Sequence, residues 1–221
     1  GMIGGICNNP EDYASFYHNY KGRRYRHDQV HNLFGYYMTR SASEAFERYV
    51  PEKRILLFSR ASYIGMHRFG GIWQGDNASW WSHLKMNVKM MPSLNMCGFL
   101  YTGADVGGFG ADATEDLVLR WLEFAVFTPL LRNHSARGTR RQEVYRFSHV
   151  EKFADVIGVR YQILPYIYSE YMKAALRNTM MFNPLAFLYG EDALARQVED
   201  QLFIGENVMV APVCEQNVTG R

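Results

Sequence analysis

Cys97-Gly-Phe-Leu-Tyr-Thr102 runs straight into Gly103-Ala-Asp-Val-Gly-Gly-Phe109, and a helix start follows. Thr114 suits an N-cap, with Glu115 and Asp116 in the first turn, where acidic side chains meet the positive end of the helix dipole. An apolar run, a glycine-rich polar loop and a capped amphipathic helix through Trp121, Leu122 and Ala125 make one strand–loop–helix unit. Repetition of that unit decides the fold, and it repeats on both sides.

Upstream, Arg54-Ile-Leu-Leu-Phe-Ser59 is a short continuous apolar run, the pattern of a strand buried on both faces of a parallel sheet. Gly70-Gly-Ile-Trp-Gln-Gly75 is a second strand, and Asn77 to Met90 reads as a helix with Trp80, Trp81, Leu84 and Val88 inward. Downstream, Phe127-Thr-Pro-Leu-Leu131 is a fourth strand, and a long helical period runs from Val150 to Leu176 with Pro165 as a kink. Before all of these, Val30, Leu33, Phe34, Tyr37, Ala45, Phe46 and Tyr49 fall at helical spacing from Gln29 to Val50, and Pro51 stops that helix. After them, Pro184 to Tyr189 and Asn207 to Val213 read as strands. Alternating strand and helix implies a parallel sheet with helices outside. A complete (β/α)8 barrel takes about 250 residues. The 221 residues here carry about four units. The expected fold is therefore α/β: a partial (β/α)8 TIM barrel, about strands 5–8 with their helices, plus the start of a C-terminal β-domain. Residues 1–28 read as loop or weakly ordered, 29–178 as the half barrel and 179–221 as the beginning of the β-domain.

Composition narrows the function. Hydrophobic residues at 48% and charged residues at 21% belong to a globular chain. Twenty-four basic against 22 acidic residues, a net charge of +2, exclude a strongly cationic nucleic-acid binder. Lys21 to Arg26 reads as a solvated basic loop. No apolar run approaches the roughly 20 residues that cross a bilayer, and no basic-then-apolar leader opens the chain. Gly1 before Met2 reads as a tag remnant. Cys7, Cys97 and Cys214 are odd in number and far apart, so they signal neither a zinc site nor a disulfide framework; buried free thiols in a reducing, cytoplasmic setting are expected. His27, Asp28 and His31 have the residue types of a metal cluster, but two of them flank a helix start, and no metal or cofactor is expected. Met86, Met90, Met91 and Met96 read as core fillers.

Polar residues gather where the strands end. Arg60 follows the first, Asp76 the second, Asp105 the third, and Arg132 and His134 the fourth. In α/β barrels these C-terminal strand ends converge on the active site. Hydrogen-bonding groups beside the rings of Trp73 and Phe109 suit a sugar, which offers hydroxyls at its edge and C–H groups on its faces. Each residue also has a plain structural use. Asp76 could cap a helix at Asn77, Asp105 could satisfy a turn, Arg60 could pair with a buried carboxylate, and His134 could be a core histidine. Gly103 to Gly108 lacks the spacing of a dinucleotide cradle.

Ser59-Arg60-Ala-Ser62, Arg68-Phe-Gly-Gly-Ile-Trp-Gln-Gly-Asp-Asn77, Gly103-Ala-Asp-Val-Gly-Gly-Phe109, Pro129-Leu-Leu-Arg-Asn-His134 and Arg160-Tyr-Gln-Ile-Leu-Pro-Tyr-Ile-Tyr168 together resemble, in order, the motifs of glycoside hydrolase family 31, the family of α-glucosidases and α-xylosidases. The resemblance runs from about Asp12 to the end. It implies a retaining α-glycosidase, in which one carboxylate is nucleophile and another is acid, then base. By resemblance Asp76 is the acid/base, which requires burial or a neighbouring negative charge. Arg60, Asp105, Arg132 and His134 match residues that hold the sugar, and Trp73 and Phe109 match aromatic walls. The family's nucleophile sits in a Trp-x-Asp-Met-Asn-Glu-Pro type motif upstream of Gln29. The nearest string, Cys7-Asn-Asn-Pro-Glu11, has no aspartate in place. The resemblance thus implies an α-glucosidase fragment with its acid/base but no nucleophile, inactive alone. The alternatives are a non-catalytic half barrel that self-associates or binds sugar weakly, and an α-xylosidase or one half of a split glycosidase. A half barrel exposes sheet edges and apolar faces, so a homodimer or higher oligomer is expected.

Overall fold

A computed structural model describes residues 10–218. The string Cys7 to Glu11 falls mostly outside the described residues, and Cys7 wholly so. The chain divides into two compact units, one ending at Gly70 and the other starting at Gly71.

In the first unit, residues 10–26 are not loop. Pro10 opens a short helix, α1 (Pro10–Ser15), a position where its missing N–H costs nothing. Strands β1 (Tyr17–Tyr20) and β2 (Arg23–Arg26) then pair antiparallel. Lys21 and Gly22 join them with φ of 49° and 74°, the left-handed pair that a two-residue hairpin turn needs. The Tyr/Arg alternation of these strands carries no hydrophobic period, which is why they read as loop. Helix α2 (His27–Tyr49) lies where its period places it, yet Phe34, Tyr37 and Tyr49 stand exposed. The run at Arg54 is extended as strand only at β3 (Phe58–Ser59). Ile55 and Leu56 are exposed, so the two covering layers that make such a run a buried strand are not supplied here.

The second unit holds the repeated strand–helix pattern: β4 (Gly71–Trp73), α3 (Trp81–Met96), β5 (Thr102–Gly103), β6 (Asp105–Val106), α4 (Glu115–Ala125), β7 (Arg132–Asn133) and α5 (Val150–Arg177). β4 pairs parallel with β5, Ile72 facing Thr102. β6 pairs parallel with β7, Asp105 facing Arg132. β5 and β6 are successive pieces of one extended stretch on either side of Ala104, so the three strand positions lie in chain order with a helix between each. This is part of a TIM-barrel domain, and among the described residues the strands do not close into a barrel. The chain then enters β8 (Phe182–Pro184), one helical turn α6 (Leu185–Leu188), β9 (Leu202–Ile204) and β10 (Val208–Val210), which form an antiparallel sheet in the order β10-β9-β8.

Three boundaries move for identifiable reasons. The second helix starts at Trp81 because Asn77 is occupied: its Nδ2 donates to Asn87 Oδ1 at 2.8 Å and its backbone oxygen accepts from Phe109 N at 2.7 Å. Trp80 is left extended at φ −129° and exposed instead of inward. Residues 127–131 turn and do not extend as a strand. The Thr128 hydroxyl lies 2.9 Å from Ala125 O and 2.7 Å from Leu130 O. The Arg160 guanidinium donates to the carbonyls of Val126 (2.7 Å), Thr128 (2.8 Å) and Pro129 (3.3 Å), and the strand begins at Arg132. Pro184 closes β8 rather than opening a strand, with its extended backbone serving as the cap of α6.

The core is aromatic and aliphatic: Leu84, Val88, Met91, Val118, Trp121, Phe153 and Phe182 are fully buried or nearly so. Of the four methionines expected inside, Met91 is buried, whereas Met86 and Met96 are exposed. Cys97 is likewise exposed and Cys214 half-buried, so neither is the buried thiol expected. No described helix is long and apolar enough to cross a membrane. Thr114 caps α4 as expected, its Oγ1 accepting from Leu117 N at 3.2 Å. Thr114→Ala is expected to lower unfolding free energy by about 1 kcal/mol, measured by urea denaturation; an unchanged midpoint would show the cap to be idle.

Candidate functional site

The site is built on the parallel ladder. Residues facing each other in adjacent parallel strands lie on one side of the sheet, and the register puts Asp105 opposite Arg132. Arg132 Nε–H donates to Asp105 Oδ1 at 2.6 Å. Asp105 is fully buried, and its Oδ2 has no hydrogen-bond partner among the described residues. Burial pushes the Asp105 carboxyl up, because a low-dielectric setting disfavours its charge. The Arg132 hydrogen bond and charge pull it down, as does His134, while the negative charge of Asp76 raises it. Asp76, Arg132 and His134 therefore each lie within electrostatic reach of the Asp105 carboxyl. Asp76 itself is exposed on the loop after β4, so of the two conditions named for a general acid, burial is not met in this chain.

Two aromatic platforms flank the cluster. The Arg132 guanidinium lies over the Trp73 ring, 5.3 Å from its centroid. Phe109 stacks on His134 with centroids 5.3 Å apart and planes 29° from parallel. Arg60 follows β3 in the first unit, half-buried; the other six candidate residues all belong to the second unit. An open hollow of ≈ 940 Å³ in that unit is lined by His134, Asn133, Tyr101 and Arg160, but not by Asp76, Trp73, Asp105, Phe109 or Arg132. Of those five, Asp76 is exposed, Trp73, Phe109 and Arg132 are half-buried and Asp105 is fully buried.

Three amides hold this region in shape, and only one of them lay in a motif. Asn77 binds the glycine loop through Phe109 N and Gly110 N. Asn87 receives Asn77 and donates to Gln74 Oε1 at 2.5 Å. Gln142 is buried between the segments that follow β6 and β7: its Nε2 lies 2.9 Å from Val106 O, 3.2 Å from Gly108 O and 3.1 Å from Asn133 Oδ1, while Asn133 Nδ2 donates to the Gln142 carbonyl at 2.7 Å. Nothing in the sequence period marks Asn87 or Gln142, since each is a single amide, Asn87 between Lys85 and Lys89 and Gln142 among Arg140, Arg141 and Glu143. The arrangement presents a buried acceptor at Asp105 Oδ2, a guanidinium, an imidazole, an exposed carboxylate and two ring faces. Such a set fixes a polyhydroxylated ring by its edges and covers its faces.

Parallel βα units with charged side chains at the strand ends place the second unit among α/β-barrel proteins of the kind that keep their sites at that end. The description "Glycosyl hydrolases family 31 TIM-barrel domain" matches residues 5–170, and "Glycosyl hydrolase family 31 C-terminal domain" matches residues 178–221. The chain belongs to glycosyl hydrolase family 31. It is 34% identical over 208 residues to Alpha-glucosidase 2 of Bacillus thermoamyloliquefaciens, covering 92% of this chain and 26% of that protein. To Neutral alpha-glucosidase AB of Homo sapiens it is 31% identical, covering 89% of this chain and 21% of the other. Among solved structures it resembles the GH31 dextranase of Flavobacterium johnsoniae complexed with glucose, at TM-score 0.85 and 27% identity, over 96% of this chain and 27% of that one. It also resembles a Tris-bound glucosidase II alpha subunit at TM-score 0.82 and 31% identity, over 88% and 22% respectively. The chain spans about a quarter of the length of the curated relatives it matches.

Proposed function

We propose that this chain carries the acid/base and sugar-holding side of a retaining α-glucosidase centre acting on terminal, non-reducing α-linked glucose in oligosaccharides, with the nucleophile supplied from outside it. The observation that carries this is the buried Asp105 carboxylate, fixed on one oxygen by Arg132 and unpartnered on the other, with Asp76 and His134 acting on it. In this reading Asp105 Oδ2 accepts a sugar hydroxyl and Arg132 and His134 donate to others. Trp73 and Phe109 cover the ring faces. Asp76 gives its proton to the departing glycosidic oxygen, then takes one from the water that completes hydrolysis. Asp105 does not serve as nucleophile, because Arg132 engages it and the sheet buries it. The named alpha-glucosidases among the relatives favour glucose over xylose. The exposed free thiol of Cys97 favours a reducing, cytoplasmic setting.

Loss of one member of a cooperating catalytic set costs factors of thousands to millions in rate. The isolated chain is therefore expected to show no appreciable turnover of a p-nitrophenyl α-glucoside, while calorimetric titration detects weak glucose or acarbose binding that Asp105→Asn abolishes. Turnover comparable to ordinary glycosidases would refute the missing nucleophile; absence of any sugar binding would refute the subsite. A second reading, a non-catalytic half barrel that self-associates, is favoured by the exposed Phe34, Tyr37 and Met38 of α2 and the exposed Tyr161, Leu164 and Tyr168 of α5. Light scattering decides it: a clean monomer would refute a homodimer or higher assembly.

A further inference from the structure

We propose that Trp80 is the platform for the sugar on the leaving side of the scissile bond, and so a determinant of which α-linked disaccharide is accepted; this rests on the reading of Asp76 as acid/base. Trp80 is placed unusually for a tryptophan. Of the four in the chain, Trp121 is buried, Trp73 and Trp81 are half-buried, and Trp80 keeps 57% of its exposure. It stands at the N-cap of α3 with no side-chain hydrogen bond to the helix. That position favours Ser, Thr, Asp or Asn, whose oxygens satisfy the first free N–H groups. The indole therefore does not cap the helix, and less than half of it is covered by the core.

The segment that carries Trp80 also carries Asp76. Exposure alternates along it: Asp76 and Trp80 are exposed, Asn77 and Ser79 are buried, and Ala78 between them is half-buried. The buried pair is tied to the glycine loop. Phe109 N and Gly110 N donate to the Asn77 carbonyl at 2.7 and 3.0 Å, Ser79 N donates to Gly110 O at 2.7 Å, and the Ser79 hydroxyl lies 3.1 Å from Ala111 O. The approach is so close that a Cβ at Gly108 would lie 2.5 Å from Ser79 N. With Asn77 and Ser79 turned into that seam, Asp76 and Trp80 open on the opposite, solvent side. Their Cα atoms are at most about 14 Å apart, so one disaccharide can meet both side chains. The ring is also held: its centroid lies 5.0 Å from that of His83 with the planes 73° apart, and His83 Nδ1 accepts from Ala78 N at 2.8 Å, which orients the imidazole in turn. An exposed, oriented indole stacks on the C–H face of a pyranose. The chemistry selects which pyranose. Asp105, Arg132 and His134 hold the glucose whose bond is cut, and Asp76 gives its proton to the oxygen that joins this glucose to the next unit. An aromatic platform on the Asp76 segment itself, separate from Trp73 and Phe109, meets the departing unit.

The test is titration of the full chain with glucose, maltose, nigerose and isomaltose, read by calorimetry and by the indole N–H resonances in proton–nitrogen NMR spectra. The disaccharide of the accepted linkage is expected to bind roughly three- to tenfold tighter than glucose. It is also expected to shift the Trp80 resonance, assigned by its loss in the variant, where glucose leaves it in place. Trp80→Ser supplies the missing cap, so it is expected to melt no lower than the parent while losing the disaccharide advantage and keeping its glucose affinity. Trp80→Phe, which retains a ring, keeps part of the advantage. Glucose binding with no disaccharide advantage overturns this proposal alone, as does an advantage that survives Trp80→Ser. A Trp80→Ser variant that melts lower and weakens glucose and disaccharide equally gives Trp80 a structural role and overturns it too. No binding of any of the four sugars overturns the subsite around Asp105, and this proposal with it.

Discussion

Arg132→Met lowers the melting temperature by roughly 6–12 °C at neutral pH, the expected result of stranding a buried charge. Asp105 is fully buried and, among the described residues, Arg132 is the cation that hydrogen-bonds it. Removing one partner of a buried pair costs about 3–5 kcal/mol; the Arg132 side chain keeps 29% of its exposure, so water compensates part and about 3 kcal/mol is expected. At 2–4 °C per kcal/mol for a chain of this size, that gives the stated shift. The pH dependence has a definite sign. Burial already holds the Asp105 carboxyl above its usual value in the fold, so its protonated form is favoured there and stability is lost as pH rises through that raised value. Deleting Arg132 removes the main opposing influence and raises the carboxyl further. The deficit relative to the parent is therefore greatest near neutrality and shrinks as pH falls toward the ordinary aspartate range. Asp105→Asn combined with Arg132→Met recovers most of the loss, since no charge is then stranded. Scanning calorimetry across pH checks all three statements. A variant melting within about 2 °C of the parent near pH 7 would show that the pair carries no such weight.

Gly103→Ala has the second large effect, and its cause is steric. A Cβ at Gly103 would lie 2.0 Å from Leu130 O and 3.1 Å from Leu130 Cβ. The obstacle is backbone, so no rotamer change relieves it, and the stretch carrying β5 and β6 must part from the turn before β7. Overpacking of this kind costs about 1–3 kcal/mol, occasionally more, and a value near the top of that range is expected. The displaced element carries Asp105, so sugar titration is expected to weaken along with stability. Gly110→Ala, where a Cβ meets nothing within 4 Å, is the control and should melt like the parent. Equal melting of Gly103→Ala and Gly110→Ala would mean that the chain relaxes at no cost.

How far the sequence is legible depends on what each element answers to. Helix α4 is read correctly because everything that makes it is local: a Thr114 cap, acidic first-turn residues and an apolar stripe ending in buried Trp121 and Leu122. The strand at Gly71 is read correctly because glycines bracket it. Residues 54–57 and 127–131 mislead because an apolar run says only that burial is favourable, not which layer provides it. One run stays exposed at Ile55 and Leu56, while the other is bent by Thr128 and clamped by Arg160. The candidate site is legible where polar residues end strands, since a parallel register of its own accord brings Asp105 and Arg132 together. Gln142 and Asn87 are illegible, because their partners are backbone groups and amides distant in the chain, and a solitary amide has no period.

The Gln142 side chain also limits how this region can vary. One amide, 2.9 Å from Val106 O and 3.1 Å from Asn133 Oδ1, fastens two segments that sequence alone would leave independent. Lengthening the stretch between His134 and Gln142 would carry the amide off its anchorage and loosen both walls at once. Diversity among descendants should therefore accumulate in side-chain identity along residues 135–141, while the number of residues there stays constant.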